Sequence, residues 1–135
     1  MRRFRPKVLL IEDDAEDAEL IQNILLDDEA RPFDIEWVDR LSAGLARLDK
    51  GGIDVVLLDL SLPDSQGLGT FNKVHDKWLT MPVVVLTGLD KQEVALEAVS
   101  SGAQDYLVKG EVEGRALVRS LQYAIERSRR GDKRR

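Results

Sequence analysis

Val55-Val56-Leu57-Leu58-Asp59-Leu60-Ser61-Leu62-Pro63-Asp64 decides the fold. Four consecutive aliphatic residues, two of them β-branched, run into a carboxylate and then into a turn signal at Pro63-Asp64. An apolar run that does not alternate reads as a strand buried on both faces, as in a parallel sheet. Three similar runs flank it: Val8-Leu9-Leu10-Ile11, Val83-Val84-Val85-Leu86 and Tyr106-Leu107-Val108. A weaker fifth candidate at residues 33–38 alternates Phe33, Ile35 and Trp37 with Asp34 and Glu36, which predicts a more exposed, edge-like strand.

Helical periodicity fills the gaps. Ala18, Ile21 and Leu25, with Leu20 and Ile24 alongside, give a stripe over residues 15–28. Asp14 stands at its N-cap, with Asp17 three residues on. Leu41, Leu45 and Leu48 form a shorter stripe that stops at Gly51-Gly52. Phe71, Val74 and Trp78 share one face of residues 68–78. Val94, Leu96, Ala98 and Val99 form a fourth stripe closed by Gly102, and Leu117, Leu121, Ala124 and Ile125 form the last. Strand-then-helix five times over, joined by right-handed crossovers, predicts an α/β fold: a doubly wound five-stranded parallel sheet with helices on both faces.

Composition bounds the function. The chain has 135 residues, 43% hydrophobic and 33% charged, an ordinary globular balance that excludes disordered and collagen-like classes. With no cysteine, disulfides, thiolate zinc sites and a Cys nucleophile are out, and one histidine, His75, makes no His-rich metal site. No apolar signal-peptide core follows the basic first residues and no run is long enough to span a membrane, so a cytoplasmic location is expected. Ten of the 20 basic residues lie at positions 1–7 and 127–135, with one of the 25 acids. The body between them is therefore about −14, which repels phosphate backbones and attracts cations. Residues 1–126 read as one domain. Residues 127–135 read as a basic C-terminal tail or the start of a linker; lacking large apolar side chains, they are expected to fray.

In such a sheet, ligands gather at the carboxyl ends of the strands. Glu12, Asp13 and Asp14 follow the first strand, Asp59 the third, Thr87 the fourth and Lys109 the fifth. Taken singly, Asp13 and Asp14 are helix caps, Asp59 a turn residue, Thr87 a turn hydroxyl, Lys109 a solvated charge and Tyr106 core packing. Their joint placement on one edge is what folding alone does not require. Close carboxylates repel unless a cation is present, and hard oxygen ligands with room for waters suit Mg²⁺. A carboxylate beside Mg²⁺ and an ammonium is set up as an in-line nucleophile toward phosphorus, with Mg²⁺ and Lys109 neutralising the equatorial oxygens. The product is an aspartyl phosphate, to which Thr87 could donate its hydroxyl. His75 reads as lying on a polar helix face, Trp37 and Trp78 as packing, and residues 27–29 and 111–113 as solvated acids.

With these residues in order, positions 7–126 resemble a response-regulator receiver domain of two-component signalling. The resemblance implies a flavodoxin-like (βα)5 fold with strand order 2-1-3-4-5. It makes Glu12 and Asp13 the acidic pair for Mg²⁺, with the main-chain carbonyl of Ser61 as a further ligand. Asp59 becomes the phosphoacceptor, Thr87 the switch hydroxyl, Tyr106 the switch aromatic and Lys109 the matching lysine. The function implied is transfer of a phosphoryl group from a histidine kinase or phosphotransfer protein onto Asp59, a conformational switch, and self-dephosphorylation. The protein would thus catalyse only its own modification. The expected partners are that kinase, a downstream protein or output domain on a face of the fourth helix, fifth strand and fifth helix, and a second copy in a phosphorylation-dependent homodimer. Two departures stand out. Glu12 replaces the frequent aspartate and can act through water, and Gly110 follows the lysine where proline is usual, predicting a looser loop. Three rival readings stand beside it: a flavin carrier, which needs a hydroxyl- and glycine-rich first loop; an aspartate-based phosphatase, which needs its nucleophile after the first strand; and a degenerate receiver acting as a phosphorylation-independent binding module.

Overall fold

The computed structural model describes residues 5–26 and 33–131, with side chains described as far as Arg129. Five parallel strands, β1 (Lys7–Ile11), β2 (Asp34–Val38), β3 (Val55–Asp59), β4 (Val83–Thr87) and β5 (Asp105–Val108), form one sheet in the order 2-1-3-4-5. They alternate with helices α1 (Ala15–Leu26), α2 (Leu41–Asp49), α3 (Leu68–His75), α4 (Gln92–Ser100) and α5 (Gly114–Gly131). This is the flavodoxin-like arrangement expected from the sequence.

The apolar runs do not alternate because both faces of the sheet are covered. Leu9, Ile11, Val56, Leu58, Val83 and Val85 pack with Leu41, Leu48, Phe71, Val74, Ala95 and Ala98 of α2, α3 and α4. The intervening Val8, Leu10, Val55, Leu57, Val84 and Leu86 pack with Ala18, Ile21, Leu25, Leu117 and Leu121 of α1 and α5. The register sets Ile11 beside Val38 and Leu58, Asp59 beside Leu86, and Thr87 beside Val108. The strand ends are therefore level, and whatever follows them shares one rim.

Several expectations need correction. β5 is half-buried rather than buried on both faces, because the strand order leaves it at the sheet edge. Leu20 and Leu96 are 54% and 52% exposed; the helices bury narrower stripes, and in α4 Ala95 and Ala98 meet the core. His75 lies on no polar face: its ring stacks on Phe71 at 5.0 Å between centroids. Helix α5 runs to Gly131, and the Ser128 hydroxyl donates to the Thr80 carbonyl at 2.8 Å. Arg2, Arg3, residues 27–29, Asp132, Lys133, Arg134 and Arg135 lie outside the described residues. Among those described, no helix is long and apolar enough to cross a membrane.

Candidate phosphoryl and metal site

The rim brings Glu12, Asp13, Asp59, Thr87 and Lys109 together. Oxygens of Glu12, Asp13 and Asp59 lie within 4.8 Å of one another. Glu12 and Asp59 are 0% and 3% exposed, while Asp13 is open to solvent. The Lys109 ammonium lies 2.8 Å from Glu12 Oε1, 2.8 Å from Asp59 Oδ2 and 3.3 Å from Asp17 Oδ2. The remaining oxygens are also engaged: Asp59 Oδ1 accepts from the Ser61 N–H at 2.9 Å, and Glu12 Oε2 from the Asp14 N–H at 3.0 Å.

Burial pushes the Glu12 carboxyl up to about 7, against the lowering pull of Lys109 and the Asp14 N–H, and neighbouring Asp59 raises it further. Burial pulls Lys109 down, but its ion pairs with Asp59 and Glu12 outweigh this and hold it above the ordinary lysine range. Two buried carboxylates facing one ammonium leave an excess of negative charge that suits a divalent cation. The donor set fits. Three hard oxygens are close enough to share an ion, one of them solvent-facing, as Mg²⁺ with retained waters requires. The Ser61 carbonyl lies beside this set in sequence. Ser61 begins a two-residue ladder, Ser61–Leu62 against Ser65–Gln66, in which Gly67 N–H already takes the Leu60 carbonyl. Ser61 and Gln66 then form the pair that exchanges no ladder bonds, so the Ser61 carbonyl is not committed to the ladder.

Asp59, Ser61, Gly67, Thr87 and Lys91 line an open cleft of about 220 Å³. The Thr87 hydroxyl turns toward the Lys91 carbonyl at 3.1 Å and the Gly88 carbonyl at 3.3 Å. The Tyr106 hydroxyl reaches Gln92 Oε1 on α4 at 3.4 Å. Gly110 has φ +87°, a left-handed conformation that proline cannot adopt, so the loop after Lys109 leaves in a direction of its own. Asp14 does cap α1, its Oδ1 accepting from Glu16 and Asp17 N–H at 2.8 and 3.3 Å.

Sequence reasoning missed three residues here. Asp17 was visible only as part of the cap, yet one helical turn on it reaches Lys109. Asp64 accepts from the Leu41 and Ser42 N–H groups at 2.8 and 2.9 Å, capping α2 from 23 residues away in sequence. Those donors, Ser42 first, hold its carboxyl below the usual range. Trp37, read as packing, is 40% exposed, and its indole N–H donates to the Glu12 carbonyl at 2.6 Å. No local signal marks a contact between β2 and the residue that follows β1.

Comparison with known proteins agrees with this geometry. Residues 8–122 match the response regulator receiver domain. The swarming motility regulation protein RssB of Serratia marcescens is 33% identical over 102 residues, 76% of this chain and 45% of that protein. The KDP operon transcriptional regulatory protein KdpE of Escherichia coli K12 is 31% identical over 115 residues, 82% of this chain and 49% of that protein. The chain thus spans about half the length of these curated relatives. Among solved structures, a receiver domain from Clostridium thermocellum superposes with a TM-score of 0.81 at 26% identity, covering 92% of this chain and 97% of that one. With a level rim carrying an acidic pair, a buried aspartate, a hydroxyl and a lysine in the family's order, and with the family match spanning nearly the whole sheet, the chain belongs to the response regulator receiver family.

Proposed function

We propose that the protein accepts a phosphoryl group on Asp59 from a histidine kinase or phosphotransfer protein, switches conformation, and hydrolyses the bond itself. The observation that carries this reading is the Asp59 carboxylate: 3% exposed, at a strand end, opening on the cleft, and 2.8 Å from the Lys109 ammonium. An Asp59 oxygen attacks phosphorus in line as the donor's bond to phosphorus breaks, and the electron pair leaves with the donor. The Ser61 N–H and Lys109 orient the nucleophile, and Lys109 can follow the charge onto the phosphoryl oxygens. Glu12, Asp13, Asp59 and the Ser61 carbonyl would hold Mg²⁺, which supplies positive charge to the transferring group. Hydrolysis by water on the aspartyl phosphate regenerates Asp59, so the only substrate the protein acts on is itself. A cytoplasmic location, a downstream protein or output domain docked on α4, β5 and α5, a phosphorylation-dependent homodimer, and a linker or tail beginning near residue 127 belong to the same reading.

The test is direct. Incubation with a small phosphoryl donor and Mg²⁺ should add one acid-labile phosphate to the wild type and none to Asp59→Asn. Stoichiometric labelling of the variant would show that another residue is the acceptor.

The switch has its own expected outcome. A phosphoryl group adds charge and three acceptor oxygens, which should draw the Thr87 hydroxyl away from the Lys91 carbonyl and free space for Tyr106 to leave Gln92. A coupling of about 1–3 kcal/mol to the α4 face is typical of such devices. Thr87→Ala should therefore still be phosphorylated yet lose the NMR shift changes on α4 and at Tyr106. The same shift changes in variant and wild type would remove Thr87 from the switch.

A further inference from the structure

We infer that Trp37 is a positioning residue for the acidic pair: its indole N–H fixes the Glu12–Asp13 peptide from which both carboxylates project. This rests on the metal reading proposed above. Glu12 is clamped on both sides by the end of β2. Its N–H donates to the Val38 carbonyl at 3.1 Å, continuing the β1–β2 ladder past Ile11. Its carbonyl accepts the Trp37 indole N–H at 2.6 Å. The first contact is ordinary sheet pairing. The second is a side-chain donor aimed at the peptide group that joins the two acids.

The consequence is geometric. Glu12 is already immobilised by burial, by Lys109 and by the Asp14 N–H. Asp13 is held less firmly: it is exposed, and its carboxylate makes no hydrogen bond among the described residues. The plane of the Glu12–Asp13 peptide sets the direction in which the Asp13 side chain leaves the backbone. Partners that orient a metal ligand without touching the ion commonly govern its affinity. Trp37 sits on the sheet edge and is 40% exposed, so water can replace its hydrogen bond but cannot hold the peptide plane.

The experiment uses the whole chain in a Trp78→Phe background, which leaves Trp37 as the only indole; Trp78 lies past the C-terminal end of α3, away from the site. Two replacements are compared: Trp37→Phe, and Trp37 replaced by 3-benzothienylalanine, which keeps the ring shape and exchanges the N–H for sulfur. Both should raise the Mg²⁺ Kd measured by calorimetry about three- to tenfold, with little change in the melting temperature. In the unreplaced protein the Trp37 indole N–H resonance should shift as Mg²⁺ saturates, with the same midpoint. Unchanged affinity in both replacements, weakening in the phenylalanine variant alone, or an indole resonance that stays fixed through saturation would each overturn the inference and leave the metal reading intact. Failure of the unreplaced protein to bind Mg²⁺ would defeat the metal reading, and Trp37's role with it.

Discussion

Replacing Lys109 with methionine is expected to destabilise the metal-free protein by about 3–5 kcal/mol near pH 8. Its ammonium is 2.8 Å from both Glu12 and Asp59, which are 0% and 3% exposed. Methionine fills the volume of the stem but leaves two buried carboxylates facing each other without a counter-charge. Relief of the lysine's own desolvation works in the opposite direction, and it is smaller here because the side chain retains 23% exposure. The loss should shrink as pH falls, because Glu12 then binds a proton and its charge disappears. Urea unfolding of both proteins at pH 6 and pH 8, without divalent ions, measures this. A loss below about 1 kcal/mol at pH 8, the level typical of a surface pair, would show that Lys109 is not the counter-charge the buried acids depend on.

The sheet was legible because its signal is strong and local. A run such as Val55-Val56-Leu57-Leu58 has few homes other than a doubly covered strand, and the residue following each run falls on the rim by topology alone. Glu12, Asp59, Thr87 and Lys109 are thus placed together by the strand pattern alone. The errors arose where tertiary context decides. Leu96 fits the helical period of its neighbours, yet Ala95 and Ala98, with Val94 and Val99 half-buried beside them, seat α4 against the sheet and leave Leu96 in solvent. Trp37 carried the alternation expected of a core residue, but an edge strand has a free side, and its ring reaches sideways to the Glu12 carbonyl just past β1. Asp64 looked like a turn residue and is one. That it also caps α2 depends on two loops meeting, a contact separated by 23 positions that no local pattern encodes.

The stability of the metal-free protein should fall as pH rises from about 4.5 to 7, by about 3 kcal/mol, and Glu12→Gln should abolish most of that slope. The sign follows from where the proton is held. Glu12 titrates near 4.5 when unfolded and at about 7 when folded, because burial disfavours its charge. Between those values the folded state binds more protons than the unfolded state, so raising the pH favours unfolding. The stabilisation is fully present below 4.5 and lost by the time pH passes 7. Glu36 and Asp64 act in the opposite sense. Hydrogen bonds from Arg47 and from the Ser42 and Leu41 N–H groups lower their carboxyls, so their contribution disappears in acid, below the window that belongs to Glu12. Glutamine keeps the side chain's shape and removes the titration. Unfolding free energies for wild type and Glu12→Gln, measured from pH 4.5 to 8 in a chelator, should therefore converge toward parallel lines only above pH 7. Parallel lines across the whole range would mean that the Glu12 proton is not the source. If Mg²⁺ occupies the acidic cluster, it competes with that same proton. Its Kd should then tighten as pH rises through the window in the wild type and change far less in Glu12→Gln. The step that prepares the site for the metal is the one that weakens the metal-free fold, because the burial that raises the Glu12 carboxyl also leaves its charge most in need of a cation.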